Sequence, residues 1–569
     1  MLTSSSTMNE KSKASDEGAD VLYPESTPYD HDKNSLGDRV EEVGPVTAHV
    51  PDSHRGLRMR HVQLIAISGS IGSALFISIG IPFTSGGPLG LIIGMALWCT
   101  VVWASANCLI EITTLLPIDG GFIGYATRFV DESFGMALGW NYTITQFALI
   151  CYDITAINLI VDYWKPLHPA IMITVTLVVI LLLNIWNVRF FGEAEFWISL
   201  SKIFLIIGLT LYTLVTMCGG NPLNDKYGFR FWRNPGVFAG NTEAKKIVQG
   251  IWDSLCWSTF AVVGPDYLSM VSGEVKSPRR VMPRAFKTTV YRIFGFYLMG
   301  ALCVSIVCAA NDPALLGAIE NKAAGAAKSP YVISMNRLGI PALPSIVNAV
   351  ILVSCISTGN AFTFTGSRAL YGLALKRQAP QVFARVNRNG VPYVAVLVTL
   401  AFGCLSYLSV STSASKVLNW WISLVGSAQL VSWTAIGITW FRFTAGLKKQ
   451  GLWPHMLPQR GYLQPLSAYW LVVWSPLVFI FQGYYVFLGG FDAVSFVFAY
   501  GSIFIFGAIY LVSKIYDYSI NKRHRWGIPL EELDFNTDIK EIEHITAESE
   551  AARAARSKGK GQKVSDFFF

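Results

Sequence analysis

Apolar runs of spanning length, about 20 residues each, recur from about residue 62 to residue 515 of this chain. The pattern predicts an all-α membrane protein with 12 transmembrane helices, at about 62–83, 88–113, 134–161, 167–188, 194–218, 247–271, 290–310, 344–369, 392–411, 417–441, 467–488 and 491–515. The first run is unusual at its centre. Ile67-Ser68-Gly69-Ser70-Ile71-Gly72-Ser73 is rich in Gly and Ser, which favour a break over a continuous helix. Lipid cannot pair the backbone groups that a break frees, so a break belongs where backbone lines a cavity or holds a ligand. The plainer reading is a small-residue face for helix packing.

Span 6 carries a similar interruption at Val263-Gly264-Pro265, where Pro265 removes a helix donor. Breaks at matching positions five spans apart point to an inverted-repeat transporter with its site at the midplane. Two unrelated kinks are the alternative. On the first reading spans 1–5 and 6–10, about 62–218 and 247–441, are the two repeats of a 5+5 arrangement with broken helices 1 and 6. Spans 11 and 12, about 467–515, are additional, and the transmembrane domain covers 55–516.

The polar flanks orient the bundle. Residues 1–54, rich in Ser, Asp, Glu, Lys and Pro, read as a disordered tail. They show no apolar core of a cleavable signal peptide, so the first span is expected to serve as its own insertion signal. Lys and Arg cluster in the loops after span 6 (Lys276, Arg279, Arg280, Arg284, Lys287), span 8 (Lys376, Arg377, Arg385, Arg388) and span 10 (Lys448, Lys449, Arg460). By the positive-inside rule, with an even span count, both termini are cytoplasmic. The segment after span 5 holds five basic residues and runs against that total. The second tail, 517–569, begins with basic and aromatic Asn521–Trp526, suited to an anionic inner leaflet. It continues through acidic 531–543, with room for a short helix, to an end that reads as disordered.

Composition narrows the class. Only 14% of residues are charged, against roughly 25% in average soluble domains. The net charge of +8 sits in short loops between spans, so it marks the lipid bilayer as partner and no nucleic acid. Eight of the nine cysteines lie inside apolar runs and Cys218 ends one. Buried Cys behaves as a small hydrophobe, and neither a disulfide framework nor a metal site is read. No nucleophile–base pair or cofactor motif stands out, so neither an enzyme nor a cofactor is expected.

Ordered motifs carry a resemblance. Gly56-Leu57 with Arg60-His61, then Gly69-Ser70-Ile71-Gly72 and Leu75-Phe76, resembles the first span of fungal amino-acid permeases, of the amino acid–polyamine–organocation superfamily. Similar matches follow at Glu111, Pro117 and Gly120-Gly121-Phe122; at Arg128-Phe129-Val130 and Gly139-Trp140-Asn141-Tyr142; and at Gly192-Glu193-Ala194-Glu195-Phe196-Trp197 with Lys202. Others are Gly273-Glu274, Pro283-Arg284-Ala285 and Leu370-Tyr371-Gly372-Leu373-Ala374. The resemblance spans roughly residues 55 to 545 and implies a LeuT-like fold. It also shows departures: Ser73-Ala74 replaces the usual Thr-Gly, and Gly264-Pro265-Asp266 stands where Gly-Thr-Glu is usual.

If span 1 unwinds, the free N–H groups and partial positive charge of the following helix end suit a substrate carboxylate. Backbone groups of Ser70, Ile71 and Gly72 would hold it. Carbonyls at Phe260, Ala261 and Val263, where the first half of span 6 ends, suit an ammonium group, with Asp266 just past the break as a further candidate for the amine, against a helix-capping or packing role. Phe260 is also a candidate gate, against the bland reading of a packed ring. Asp153, Asn360 and Ser427 are candidates for the substrate side chain; Asp153 could instead move protons or pair with a buried polar group, and Asn360 and Ser427 could simply join helices. Lys202, about eight residues into span 5, is costly there unless paired or deprotonated. By resemblance it stands where sodium-driven relatives bind sodium, implying proton coupling; snorkelling to the headgroups is the alternative. Glu111 and Arg128 fit a cytoplasmic gate or loop structure. The resemblance also implies ubiquitin-ligase regulation through the tails, with Lys11 and Lys13 as candidate acceptors, although ordinary solvated charge is the plainer reading.

The expectation is therefore a proton-coupled importer of L-amino acids at the plasma membrane, working by alternating access. A non-transporting amino-acid sensor on the same fold is the alternative. The substrate stays open: Asp153 and Asp266 fit a cationic amino acid, yet acidic, neutral and proline-type substrates are equally admissible.

Overall fold

The computed structural model describes residues 73–556 apart from 119, 166, 186–187, 276, 321–328, 489 and 521–524. Ser70, Ile71 and Gly72, with the rest of the Gly/Ser stretch before them, lie outside the described residues, as do Lys11 and Lys13. The regular elements among the described residues are helical. In chain order they are α1 (Ala74–Ile77), α2 (Gly80–Leu115), α3 (Gly121–Phe129), α4 (Glu132–Val161), α5 (Pro169–Ile185), α6 (Val188–Met217), α7 (Ala244–Ala261), α8 (Pro265–Met270) and α9 (Pro278–Val307). Then follow α10 (Pro313–Glu320), α11 (Pro330–Arg337), α12 (Leu343–Leu375), α13 (Tyr393–Gly403), α14 (Leu408–Ser411), α15 (Ala414–Lys449), α16 (Leu466–Gln482), α17 (Ala493–Ser519) and α18 (Ile539–Arg556).

Nine helices among the described residues are long and apolar enough to cross a membrane, against the twelve spans the sequence predicts. The difference is local. Expected span 1 begins outside the described residues, and its end continues into span 2 as α2, which turns sharply at Gly87-Pro88 (Gly87 φ 66°, ψ −173°). Helix α5 is apolar but 17 residues long. Expected span 6 is divided into α7 and α8. Two boundaries also move. Helix α9 starts at Pro278, whose ring suits a first helical turn, so Arg279, Arg280, Arg284 and Lys287 ride on its first three turns rather than in a loop. Helix α15 likewise carries Lys448 and Lys449 in its last turn.

Burial orders the bundle from centre to edge. The most apolar stretch of α4 is 89% buried and that of α17 only 11%. Helix α4 therefore runs through the core, packed by α12, α15, α3 and α17. On α17, Val497, Phe504, Leu511, Val512 and Ile515 are exposed, the surface a lipid-facing helix presents. Helix α2 packs along α7 and α9, and Trp98 on α2 stacks with Trp433 on α15 at 5.1 Å. Glu111, fully buried near the end of α2, accepts from Trp440 Nε1 (2.6 Å) and the Gly461 amide (2.8 Å), tying α2 to α15 and the following loop.

The second tail differs from its expected form, because residues 525–542 dock on the helix ends. Phe535 is buried and stacks on Phe129 of α3 at 5.4 Å, with Phe443 of α15 at 5.9 Å. Arg128 pairs with Asp534 and Asp538, both at 3.0 Å, and donates to the Asp534 and Thr537 carbonyls. Gln450 on α15 donates to the carbonyls of Leu530, Glu531 and Leu533. A helix begins only at Ile539 and runs to Arg556. The apolar contacts dominate. Fully burying a side chain such as Phe535 is worth about 1.5–3 kcal/mol, while partly exposed ion pairs are worth roughly 0–1 kcal/mol. Burial alone would raise the Asp534 carboxyl; hydrogen bonds from Thr537, the Arg128 charge and the Asn536 amide outweigh it and hold the group below the usual carboxylate range. A lowered value means that this contribution is full at neutral pH and is lost only as pH falls through that value.

Candidate substrate site

The site is built around the gap between α7 and α8. Helix α7 closes with the Val262 amide on the Ser258 carbonyl at 2.8 Å. Val262 is then extended, and Gly264 takes φ 153°, ψ −45°, a region that L side chains rarely adopt. Pro265, lacking an N–H, restarts the helix. Asp266 lies in the first turn of α8 and is 1% exposed. It accepts from Gln429 Nε2 of α15 at 3.0 Å and from the Gly264 amide at 3.4 Å. Both carboxylate oxygens are thus engaged in holding the gap open and tying it to α15. Of the carbonyls on this edge, that of Ala261 accepts from Tyr297 of α9. Val263, like Phe260 and Ala261, is buried.

The ends of short helix α1 bond to α4 and α7. Its N-cap residue Ser73 donates to Asp153 Oδ1 of α4 at 2.7 Å. Ser78, at its other end, accepts from Tyr152 (3.3 Å) and from Trp257 Nε1 of α7 (3.1 Å). The Phe260 ring sits edge-on to Tyr152 at 4.7 Å and is 4% exposed. These contacts bring Asp153, Ser73, Tyr152, Trp257 and Phe260 together where α1, α4 and α7 meet. Asp153 is 1% exposed, and its Oδ2 has no hydrogen-bond partner among the described residues. A buried carboxylate oxygen is costly to leave unpaired, so it is the atom here most in need of a donor.

A second cluster lies between α6, α12 and α5. Glu195 accepts from Ser357 (2.6 Å), Ser199 (3.3 Å) and Asn360 Nδ2 (3.4 Å), and Asn184 Nδ2 donates to Asn360 Oδ1 at 2.7 Å. Lys202 lies on the same stripe of α6, seven residues beyond Glu195, and is fully buried. Glu195 and Asp153 both act on it electrostatically. Lys202 is buried within α6, on the part of that helix long and apolar enough to cross a membrane, Trp197–Met217.

Asn360 is thus engaged with Glu195. Ser427 on α15 donates to the Leu424 carbonyl and accepts from Ser502 of α17 at 2.9 Å. Two residues apart on a helix point to different faces, so it is Gln429 that reaches Asp266. Sequence reasoning did not assign roles to Glu195, Tyr152 or Trp257. Glu195 carried a signal, a carboxylate two turns before Lys202 on an apolar helix. Ser73, marked only as a departure from the usual pattern, is the residue that bonds Asp153. Among the described residues no group of His, Cys, Asp and Glu is placed to hold a metal ion.

Gly121 shows how closely α3 meets α8. A Cβ there would fall 2.4 Å from the Ser269 carbonyl oxygen, and φ is +47°. The next amide, Phe122 N, donates to Ser269 Oγ at 3.2 Å. Gly121→Val is expected to reduce folded, detergent-stable protein severalfold, read by size-exclusion of a fluorescent fusion; wild-type yield would mean that α3 and α8 can separate at no cost.

The amino acid permease family profile matches residues 61–522 of the chain. The chain belongs to the amino acid permease family. Among curated relatives, this permease is 38% identical over 530 residues to a proline-specific permease of Emericella nidulans, covering 92% of this chain and 94% of that one. It is also 38% identical to general amino acid permease AGP2 of Saccharomyces cerevisiae, over 88% of this chain and 84% of that one. Among solved structures it is loosely similar to a manganese transporter of Eremococcus coleocola, at 14% identity and a TM-score of 0.49 over 81% of this chain and 94% of that one. Family membership and the apolar helices make the permease a multi-pass amino acid transporter of the membrane.

Proposed function

We propose that this permease is a proton-coupled symporter that imports L-amino acids across the plasma membrane by alternating access, with twelve spans, discontinuous first and sixth helices and both termini cytoplasmic. The observation that carries the reading is the buried gap at Val262–Gly264, beside Phe260, whose ring meets Tyr152 of α4, the neighbour of Asp153, whose Oδ2 has no hydrogen-bond partner among the described residues. The substrate ammonium is read by the α7 carbonyl edge at Phe260, Ala261 and Val263, and by Asp153. Its carboxylate is read by backbone at Ser70, Ile71 and Gly72. Asp266 shapes the gap through Gln429 and Gly264. Lys202, facing Glu195 and Asp153, supplies the charge whose partners change as a proton is taken up and released.

The test is uptake of labelled amino acids by proteoliposomes under an imposed pH gradient. Accumulation is expected when the outside is acidic and should collapse with a protonophore. Ligand binding without uptake would replace the importer by a sensor on the same fold. Uptake indifferent to the gradient would remove the proton. Competition by cationic, acidic, neutral and imino substrates against one labelled amino acid assigns the substrate class.

A further inference from the structure

We propose that the docked segment 525–542 is a cytoplasmic latch that acts on the substrate site through α3 and α8, with Arg128 as its positioning residue. The path is short and continuous. At its C-terminal end α3 is gripped by the latch: Phe535 covers Phe129, Arg128 is held by Asp534, Asp538 and the Thr537 carbonyl, and the Ile528 amide donates to the Val130 carbonyl at 3.0 Å. At its N-terminal end α3 is joined to α8 by the Phe122–Ser269 hydrogen bond and the close approach of Gly121. Ser269 in turn donates to the carbonyl of Asp266 at 2.7 Å, the residue that holds the gap between α7 and α8. A nine-residue helix thus has one end in the latch and the other against the site.

The latch also joins other helix ends to α3. Arg442 on α15 donates to both the Phe129 and Ile528 carbonyls, bridging α3 and the segment. Gly446, one turn on, meets the segment closely: a Cβ would lie 2.5 Å from Leu533 Cδ1 and 3.0 Å from Phe535 Cζ. At the start of α18, Ile539 and Glu543 close one side of a cavity of about 240 Å³ against Leu115 of α2, Arg279 of α9 and His455. One segment therefore contacts the ends of α3 and α15 and closes a cavity shared with the ends of α2 and α9. Any movement of α8 with α3 strains these contacts, and any release of them frees α3 to move. Docked, the latch holds the arrangement described; released, it lets α8 and the gap rearrange.

The experiment compares full-length permease with Phe535→Ala and, from the opposite face, Gly446→Val, which crowds the docked Leu533 and Phe535 without altering the tail. Hydrogen exchange is followed in residues 121–129, 265–270 and, as a remote control, 466–482. Both variants are expected to speed exchange in 121–129 and 265–270 by roughly tenfold, as for loss of a local cooperative unit, and to leave 466–482 unchanged. Maximal uptake should shift at least twofold, with a smaller change in KM. Arg128→Lys should recover most of the protection that Arg128→Gln loses. Faster exchange confined to 121–129 would overturn transmission to the site, and unchanged exchange in both segments would overturn the latch. The uptake readout alone rests on the transport reading: if wild-type protein fails to transport while the exchange pattern holds, that reading falls and the latch stands.

Discussion

Asp153→Asn is expected to raise the KM for uptake by about 10- to 100-fold, the equivalent of losing one charge-assisted hydrogen bond of about 1.5–3 kcal/mol. The substitution is nearly isosteric. An Asn carbonyl can still accept from Ser73, which donates to Oδ1 at 2.7 Å, so the contact between α1 and α4 survives and the protein should reach the membrane. What changes is the second oxygen, which has no hydrogen-bond partner among the described residues. In its place Asn offers an N–H group, a donor facing a donor where the proposed reading puts the ammonium. Kinetics of uptake, with surface protein measured in parallel, decide the matter. An unchanged KM would assign Asp153 to the scaffold and leave the amine to the backbone carbonyls alone. Ser73→Ala, which frees Oδ1 as well, should move KM far less.

Lys202→Met should abolish the stimulation of uptake by an inward pH gradient while leaving exchange of internal for external substrate. The side chain is fully buried, with Glu195 and Asp153 acting on it. Removing one member of a buried charge pair costs about 3–5 kcal/mol, because the other is left uncompensated. Glu195 keeps its hydrogen bonds from Ser357, Ser199 and Asn360, but these donors are neutral. The single variant should therefore also melt at lower temperature. Adding Glu195→Gln should restore melting without restoring the gradient response, a non-additivity expected of groups that share one site. A gradient response retained in Lys202→Met would remove this lysine from coupling.

Much of the site region was legible because its signals are local. Gly264 and Pro265 announce a break by their own backbone chemistry, and the gap lies where they stand. Lys202 and Asp153 are conspicuous in apolar runs, and both are buried. Facing was less legible. Ser427 and Gln429 sit two residues apart, and only the packing of α15 decided that Gln429 meets Asp266 while Ser427 meets Ser502. Asn360 fits a substrate or an interhelical role from sequence, and it meets Asn184 of α5 and Glu195 of α6. The tail was least legible. Its acidic stretch suggests at most a short helix, yet Leu533, Phe535 and Ile542 are buried. Three apolar residues among charges make a weak periodic signal, and they find a surface only once α3 and α15 have been brought side by side.

By itself the sequence determined the membrane class, the approximate helices, the break at Gly264-Pro265 and the membership in a permease family, because hydrophobic run length and backbone chemistry act over a few residues. Only the tertiary structure decided which polar groups pair. Ser73 and Asp153 are 80 residues apart in the chain, Gln429 and Asp266 are 163 apart, and Arg128 and Asp534 are 406 apart. Such partners are selected by helix rotation and packing, which together bring a few donors within reach of each acceptor. In a low-dielectric interior those choices set which groups are satisfied and which are left to seek a ligand.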